Sequence, residues 1–144
     1  MITESSVEIE APASIVWDVF VDVEQWPSWT TSVTRIVALD GPGIEVGKRF
    51  KIKQPWLASR VWKVTEVEPG VSWTWRQRSP GGTTTASHEV VPDGNDRTLV
   101  RQRIDQRGPV GVLMRRLTRR YLDLEGQGLK SYSEQRRGRH SSPA

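Results

Sequence analysis

The chain has 144 residues, which suffices for one compact domain with a sizeable core but not for two. It contains no cysteine and two histidines, which excludes disulfides, thiolate nucleophiles and cysteine-ligated metals and leaves too few ligands for a histidine-rich site. Much of the positive charge behind the net +4 lies in RRLTRR at 115–120 and RRGRH at 136–140, a pattern more typical of a solvated helix face and a tail than of a nucleic-acid groove. We therefore expect no metal and no cofactor, and the pattern does not favour a nucleic-acid partner.

The sequence also lacks targeting signals. No run of apolar residues approaches the about 18 that a membrane-spanning helix needs, so no transmembrane segment is predicted. The N-terminus MITESSVEIE is polar and acidic and has neither the basic nor the apolar region of a secretory signal. These features predict a soluble, cytoplasmic protein.

The N-terminal part of the chain combines a strand with a broken helix. ITESSVEIEA alternates weakly toward its end and predicts the first strand. Pro12 stands where a helix can begin, and the apolar residues of SIVWDVF recur on one face, which predicts a helix from about Pro12 to Val21. Pro27 disfavours helical geometry at Trp26, so a kink or a second short helix should follow.

Six further segments alternate like strands and are rich in β-branched or aromatic residues. They span 32–39, 48–54, 59–67, 71–78, 83–91 and 97–105. Turn signals such as DGPG, EPG, SPGG and PDGND separate them. Strands joined by such short connections predict an antiparallel meander.

A long amphipathic helix is predicted near the end of the chain. Gly108 and Pro109 form a start signal for it. Its apolar stripe recurs at intervals of three and four residues, with arginines on the opposite side. The stripe consists of Val110, Leu113, Leu117, Tyr121, Leu124 and Gly128. Residues 136–144 are polar and basic and are predicted to be a disordered tail, which leaves 1–135 as a single domain.

Together these elements predict an α+β fold, with an antiparallel sheet of about seven strands packed against helices. The segments VEIEAPASIVWDVFVDVEQWPSW, WKVTEVEPGVSWTW, SHEVVPDGNDRTLVRQ and RGPVGVLMRRL resemble the polyketide cyclase/dehydrase-like branch of the START-like (SRPBCC) superfamily, to which Bet v 1-type proteins are related. The resemblance covers about residues 7–132. It implies a helix-grip fold, in which a curved sheet wraps around the long C-terminal helix, a short broken helix pair follows the first strand, and a ligand cavity lies between sheet and helix.

Alternation along the strands predicts which side chains face that cavity. Trp73 and Trp75 share one face of their strand, and Trp62 takes the equivalent face of its neighbour. His88 and Gln102 fall on the same inner face and should oppose each other across the last hairpin. Buried polar groups need hydrogen-bond partners, so the two form either a structural pair or a site that orients the polar end of a ligand. His88 is also the candidate acid or base, because the unperturbed pKa of histidine lies near neutrality.

Loops and the final helix supply the remaining candidate binding residues. Trp29, after the bend, either packs structurally or lies at the cavity mouth. Trp56, in a loop between strands, is either ordinary loop packing or a lid over the entrance. The resemblance implies that the final helix faces the cavity, which adds Leu113, Leu117 and Tyr121.

The predicted function is binding of a largely apolar small molecule, such as a polyketide, lipid, quinone or polycyclic aromatic. One alternative is a polyketide cyclase or dehydratase that uses His88, although no catalytic motif of the family is matched. Another is an interaction module whose arginine-bearing helix face meets an acidic partner, a membrane surface or nucleic acid. A monomer or a weak dimer is expected.

Overall fold

A computed structural model describes residues 1–141, so residues 142–144 of the predicted tail lie outside the described part of the chain. The elements are β1 (Ile2–Ile9), α1 (Ala13–Val21), a 3₁₀ helix (Val23–Ser28), β2 (Arg35–Ala38), β3 (Arg49–Lys53), β4 (Arg60–Glu68), β5 (Ser72–Ser79), β6 (Gly82–Pro92), β7 (Thr98–Arg107), α2 (Pro109–Leu113) and α3 (Arg115–Ser141). The predicted strand, broken helix, six strands and C-terminal helix all occur in that order.

The described strands form a seven-stranded antiparallel sheet in the order β1-β7-β6-β5-β4-β3-β2. Strands β2 to β7 are joined to their neighbours by turns or loops, as the turn signals predict. The first strand pairs with the last, from Ile2 opposite Asp105 to Ile9 opposite Thr98. The predicted α+β helix-grip architecture is confirmed.

One face of the sheet is the inner face of the core, and the alternation identifies it correctly. Phe50, Val64, Trp73 and Trp75 are buried on that face, while Lys51 points to solvent from between two inward residues. A β-bulge between residues 64 and 66 of β4 shifts the pairing with β5 by one residue. Without the bulge the later part of β4 would turn its apolar side chains outward.

Helix α3 is tied to the edge strand β1. The Nζ of Lys130 donates to the carbonyl oxygen of Glu8 at 3.1 Å, and the guanidinium of Arg119 donates to that of Glu4. These contacts cover a sheet edge that would otherwise expose unpaired backbone groups.

The C-terminal helix differs from its prediction at both ends. It is interrupted at Met114, because the short helix α2 is held against the end of β7, where Gly111 packs closely on Gln106. At its other end α3 continues to Ser141, so residues 136–141 are helical and not a disordered tail. Arg137 holds this end by donating to the carbonyl oxygen of Glu10 at 2.8 Å.

Candidate functional site

A cavity of about 210 Å³ lies between the inner face of the sheet and helix α3. Its deep wall carries Trp26 of the 3₁₀ helix together with Trp62 and Trp75 of the sheet. The rings of Trp62 and Trp75 are 5.8 Å apart, and so are those of Trp26 and Trp75. The wall therefore offers an apolar surface of aromatic rings, which suits a flat or flexible apolar ligand.

The cavity opens at one end of the sheet, and we call this opening the mouth. Three connections form it: the β3–β4 loop, the β5–β6 turn and helix α2. They contribute Leu57, Pro80 and Val110 to the lining, and Met114 adds to it from the break before α3. Apolar side chains thus line the mouth as well as the interior, together with polar ones such as Gln54, Arg60 and Ser79 at the mouth.

His88 lies on the cavity wall in the middle of the aromatic core. Its ring stacks on Trp73 at 4.0 Å, and Nδ1 is 3.2 Å from the carbonyl oxygen of Trp73. Because a carbonyl oxygen only accepts, Nδ1 must carry the hydrogen, which leaves Nε2 as an acceptor. Burial lowers the pKa of His88 to about 3, partly opposed by the bond to Trp73. The imidazole is therefore neutral near pH 7.

The predicted opposition of His88 and Gln102 is present, since the two residues pair directly across β6 and β7. Their side chains do not, however, hydrogen-bond to each other, which is the arrangement that a structural pair would require. His88 bonds instead to the strand on its other side, and Gln102 Oε1 has no hydrogen-bond partner among the described residues. Gln102 is buried but does not line the cavity.

Glu125 of α3 is a buried cavity residue that the sequence analysis does not single out. Its Oε1 accepts a hydrogen bond from Ser32 Oγ at 3.1 Å, and Ser32 Oγ in turn accepts one from Thr30 Oγ1 at 2.9 Å. Burial raises the pKa of Glu125 to about 8, against a smaller opposing effect of the Ser32 bond. At neutral pH the carboxyl is therefore protonated and can donate a hydrogen bond into the cavity.

A correct prediction of which face of α3 is buried would have identified Glu125. The buried face of the helix consists of Thr118, Tyr121, Leu122, Glu125, Gly126, Leu129 and Ser133. The predicted stripe shares only Tyr121 with this face. Leu117 and Leu124 lie at its margin, and Leu113 is exposed.

Four of the ten predicted binding residues line the cavity: Trp62, Trp75, His88 and Tyr121. The Tyr121 hydroxyl donates to the carbonyl oxygen of Pro55, which joins α3 to the β3–β4 loop. Burial raises the pKa of the Tyr121 phenol.

The other six predicted binding residues do not line the cavity and have other places in the structure. They are Trp29, Trp56, Trp73, Gln102, Leu113 and Leu117. Trp73 is fully buried behind His88, and Trp29 packs under α3 against Gly128. Trp56 and Leu113 project into solvent near the mouth. Alternation and periodicity indicate burial, but they do not indicate which buried residues reach an open space.

The described residues contain no cluster of histidine, aspartate or glutamate able to hold a metal ion. Between residues 1 and 141, no helix is both long enough and apolar enough to cross a membrane.

The family model described as polyketide cyclase / dehydrase and lipid transport matches residues 2–134. The chain belongs to this family. A protein of Streptomyces halstedii with the provisional name polyketide cyclase is 30% identical over 114 residues, which cover 78% of this chain and 94% of that protein.

The solved structures of similar fold include proteins that are named for different activities. A START superfamily protein from Mycobacterium smegmatis is 17% identical, with a TM-score of 0.77 over 93% of this chain and 97% of that one. The Zhui aromatase/cyclase from Streptomyces sp. R1128 is 15% identical, with a TM-score of 0.76 over 94% of each chain. A truncated norcoclaurine synthase from Thalictrum flavum is 14% identical, with a TM-score of 0.75 over 92% of each. At these identities the likeness establishes the fold and not the activity.

Proposed function

We propose that the protein binds a largely apolar small molecule, such as a polyketide, lipid, quinone or polycyclic aromatic, between the sheet and α3. The observation that supports this most directly is the tryptophan-walled cavity with its apolar mouth. The family description, polyketide cyclase / dehydrase and lipid transport, is consistent with such a ligand.

The volume of the cavity limits the ligand. About 210 Å³ is less than the roughly 300–1,000 Å³ typical of pockets for drug-sized molecules. We therefore expect either a compact ring system held entirely inside, or a longer molecule whose remainder extends through the mouth.

The polar side chains on the wall orient the ligand. The protonated carboxyl of Glu125 supplies a donor and His88 Nε2 supplies an acceptor, on a wall that carries other polar side chains such as Gln77, Thr84 and Thr118 beside its aromatic rings. A ligand with a carbonyl or hydroxyl group at its inner end would satisfy these groups, whereas a purely hydrocarbon ligand would leave them unpaired.

Native mass spectrometry tests binding directly. The protein as purified is compared with the same sample denatured and extracted into organic solvent. A stoichiometric adduct that disappears on denaturation supports the proposal, and the extracted mass gives the chemical class of the ligand. A clean mass that stays unshifted after exposure to lipids, quinones and polyketides contradicts it.

A cavity-filling substitution locates the ligand. Ala86→Leu places an isobutyl group in the cavity, because Ala86 is buried on its wall. We expect ligand affinity to fall at least about tenfold, measured by tryptophan quenching, while the free energy of unfolding changes by less than about 1 kcal/mol because the group enters open space. The control Thr85→Leu, on the outer side of the same strand, should leave affinity unchanged. Equal effects of the two variants would place the ligand elsewhere.

A second candidate function, a polyketide cyclase or dehydratase, is favoured by one observation. A neutral carboxyl and a neutral imidazole share the same cavity, so a proton donor and a proton acceptor face one bound molecule. With a pKa of about 3, His88 is not protonated near pH 7 and cannot act as the general acid, so that role falls to Glu125. Product analysis separates the functions: a binder releases its ligand unchanged, whereas an enzyme returns altered product and loses turnover in Glu125→Gln.

A further inference from the structure

The mouth carries apolar side chains that project into solvent. Trp56 in the β3–β4 loop is 89% exposed, Leu113 at the end of α2 is 85% exposed and Val112 is 69% exposed. The elements that carry them lie at one end of the sheet, because Leu57 and Val110 line the same cavity and Val110 packs against Gly81 of the β5–β6 turn. Apolar groups clustered at one opening indicate an interaction site.

The backbone holds Trp56 in this exposed position. Its φ of 71° lies in the left-handed region, which is unfavourable for a tryptophan. The loop around it is fixed by three contacts: Lys53 Nζ donates to the carbonyl oxygens of Gln54 and Leu57, and Tyr121 donates to that of Pro55. The protein thus maintains a strained backbone conformation that presents the ring of Trp56 to solvent.

The same end of the molecule is strongly basic. The mouth segments 54–60, 78–82 and 105–116 contain five arginines and one aspartate. These segments therefore account for a net charge of +4, which equals that of the entire chain. The arginines are exposed, and they are Arg60, Arg78, Arg107, Arg115 and Arg116. The connections at the opposite end, residues 39–48, 69–71 and 93–97, contain four acidic and two basic residues and so carry a net charge of −2.

We propose that the mouth docks on an anionic lipid bilayer, with Trp56 and Leu113 inserted among the headgroups and the arginines against the lipid phosphates. Tryptophan beside arginine is suited to this interface, where an apolar body and a cationic rim are both stabilised. The apolar side chains protrude from separate elements, and a bilayer accepts such protrusions without a complementary pocket. Docking would place the cavity opening at the headgroup layer, so that an apolar molecule could pass between the cavity and the acyl chains without entering bulk water.

The test is flotation of the full chain with vesicles of phosphatidylcholine alone and of an equimolar mixture with phosphatidylglycerol. We expect binding to the mixed vesicles only, weakened by salt. Trp56→Ser with Leu113→Ser, and separately Arg115→Glu with Arg116→Glu, should each weaken binding at least about tenfold. All these side chains are exposed, so the variants should keep the wild-type unfolding transition.

Two matched controls decide what drives binding. Lys51→Glu with Arg76→Glu makes the same change in charge on the outer face of the sheet, and Val46→Ser removes an exposed apolar group from the loop between β2 and β3. Both should bind like the wild type. Absence of vesicle binding overturns the proposal, and so does equal loss in the outer-face pair, which would reflect net charge alone. If the wild type does not bind vesicles but forms a dimer that a mouth variant converts into a monomer, the mouth is instead an interface between two copies. The test does not depend on what the cavity holds.

Discussion

Gly128→Ala is expected to lower the free energy of unfolding by about 3 kcal/mol, although alanine is the better helix former. A Cβ at Gly128 would overlap the carbonyl oxygen of Trp29 and would lie 3.0 Å from its carbonyl carbon and from its ring. Two of these atoms belong to the backbone and cannot move aside as a flexible side chain can. Helix α3 would therefore have to lift away from the segment that follows the 3₁₀ helix.

Gly126→Ala is the matched control, two residues earlier on the same helix. A Cβ there would meet the side chain of Val7 at 3.7 Å, which is ordinary van der Waals contact. This variant should be as stable as the wild type or more stable by up to about 1 kcal/mol, since alanine favours the helix. Urea unfolding of both variants measures the difference. Similar values for the two would show that the close approach of α3 to Trp29 does not exist in solution.

The close contact between Gly128 and Trp29 explains why tryptophans stand on both sides of Pro27 in the segment WPSW. Trp26 packs into the core, where its Nε1 donates to the carbonyl oxygen of Phe20 at 2.9 Å, and Trp29 lies under α3. The bend at Pro27 therefore sets the distance between helix and sheet at the closed end of the cavity. Of these two tryptophans, only Trp26 lines the cavity.

The sheet could be predicted because its signal is local and repeated. Each strand alternates between an apolar and a polar face, so burial of residues such as Phe50 and Val90 follows from position alone. Turn residues fix the connections, and the fold follows from burying one face. Alternation does not indicate to which neighbouring strand a side chain on a central strand will hydrogen-bond. His88 has neighbours on both sides and bonds to Trp73, not to the predicted Gln102.

The site on α3 could not be predicted in the same way, because its buried face is partly polar. A search for apolar periodicity selects Leu113 and Leu117, yet the helix buries Thr118, Glu125 and Ser133. Polar residues on a cavity-facing helix carry no hydropathy signal that separates them from the solvent-exposed face. The information needed is the helix phase, and tertiary contacts such as those of Arg119 and Lys130 with β1 and of Glu125 with Ser32 determine it.

The two buried titratable groups at the cavity have opposite effects on stability as pH changes. Folding lowers the pKa of His88 from 6.5 to about 3, so its contribution is present above about pH 6.5 and is lost as pH falls toward 3. Folding raises the pKa of Glu125 from 4.5 to about 8, so its contribution is present below about pH 4.5 and is lost as pH rises to 8. Between pH 4.5 and 6.5 the two slopes oppose each other, so in that range the wild-type profile alone shows neither effect.

Glu125→Gln separates them. The amide keeps an oxygen that can accept the Ser32 bond and a donor on the other side, but it cannot ionise. At pH 5 we expect the variant and the wild type to be about equally stable. By pH 8 the variant should be more stable by about 3 to 4 kcal/mol, because over most of the interval from pH 5 to 8 each pH unit removes about 1.36 kcal/mol of stability from the wild type alone.

The difference in unfolding free energy between variant and wild type, from urea titrations at pH 5, 6, 7 and 8, isolates Glu125, because His88 contributes equally to both proteins. Glu66→Gln is the matched control for the loss of one carboxyl, on the exposed face of the sheet and away from the cavity. A rising difference for Glu125→Gln means that the folded cavity holds a protonated carboxyl, which is the donor that both the binding and the enzymatic proposals require. A constant difference would mean that Glu125 is ionised in the folded protein, and the polar end of the ligand would then have to supply a hydrogen-bond donor or a positive charge.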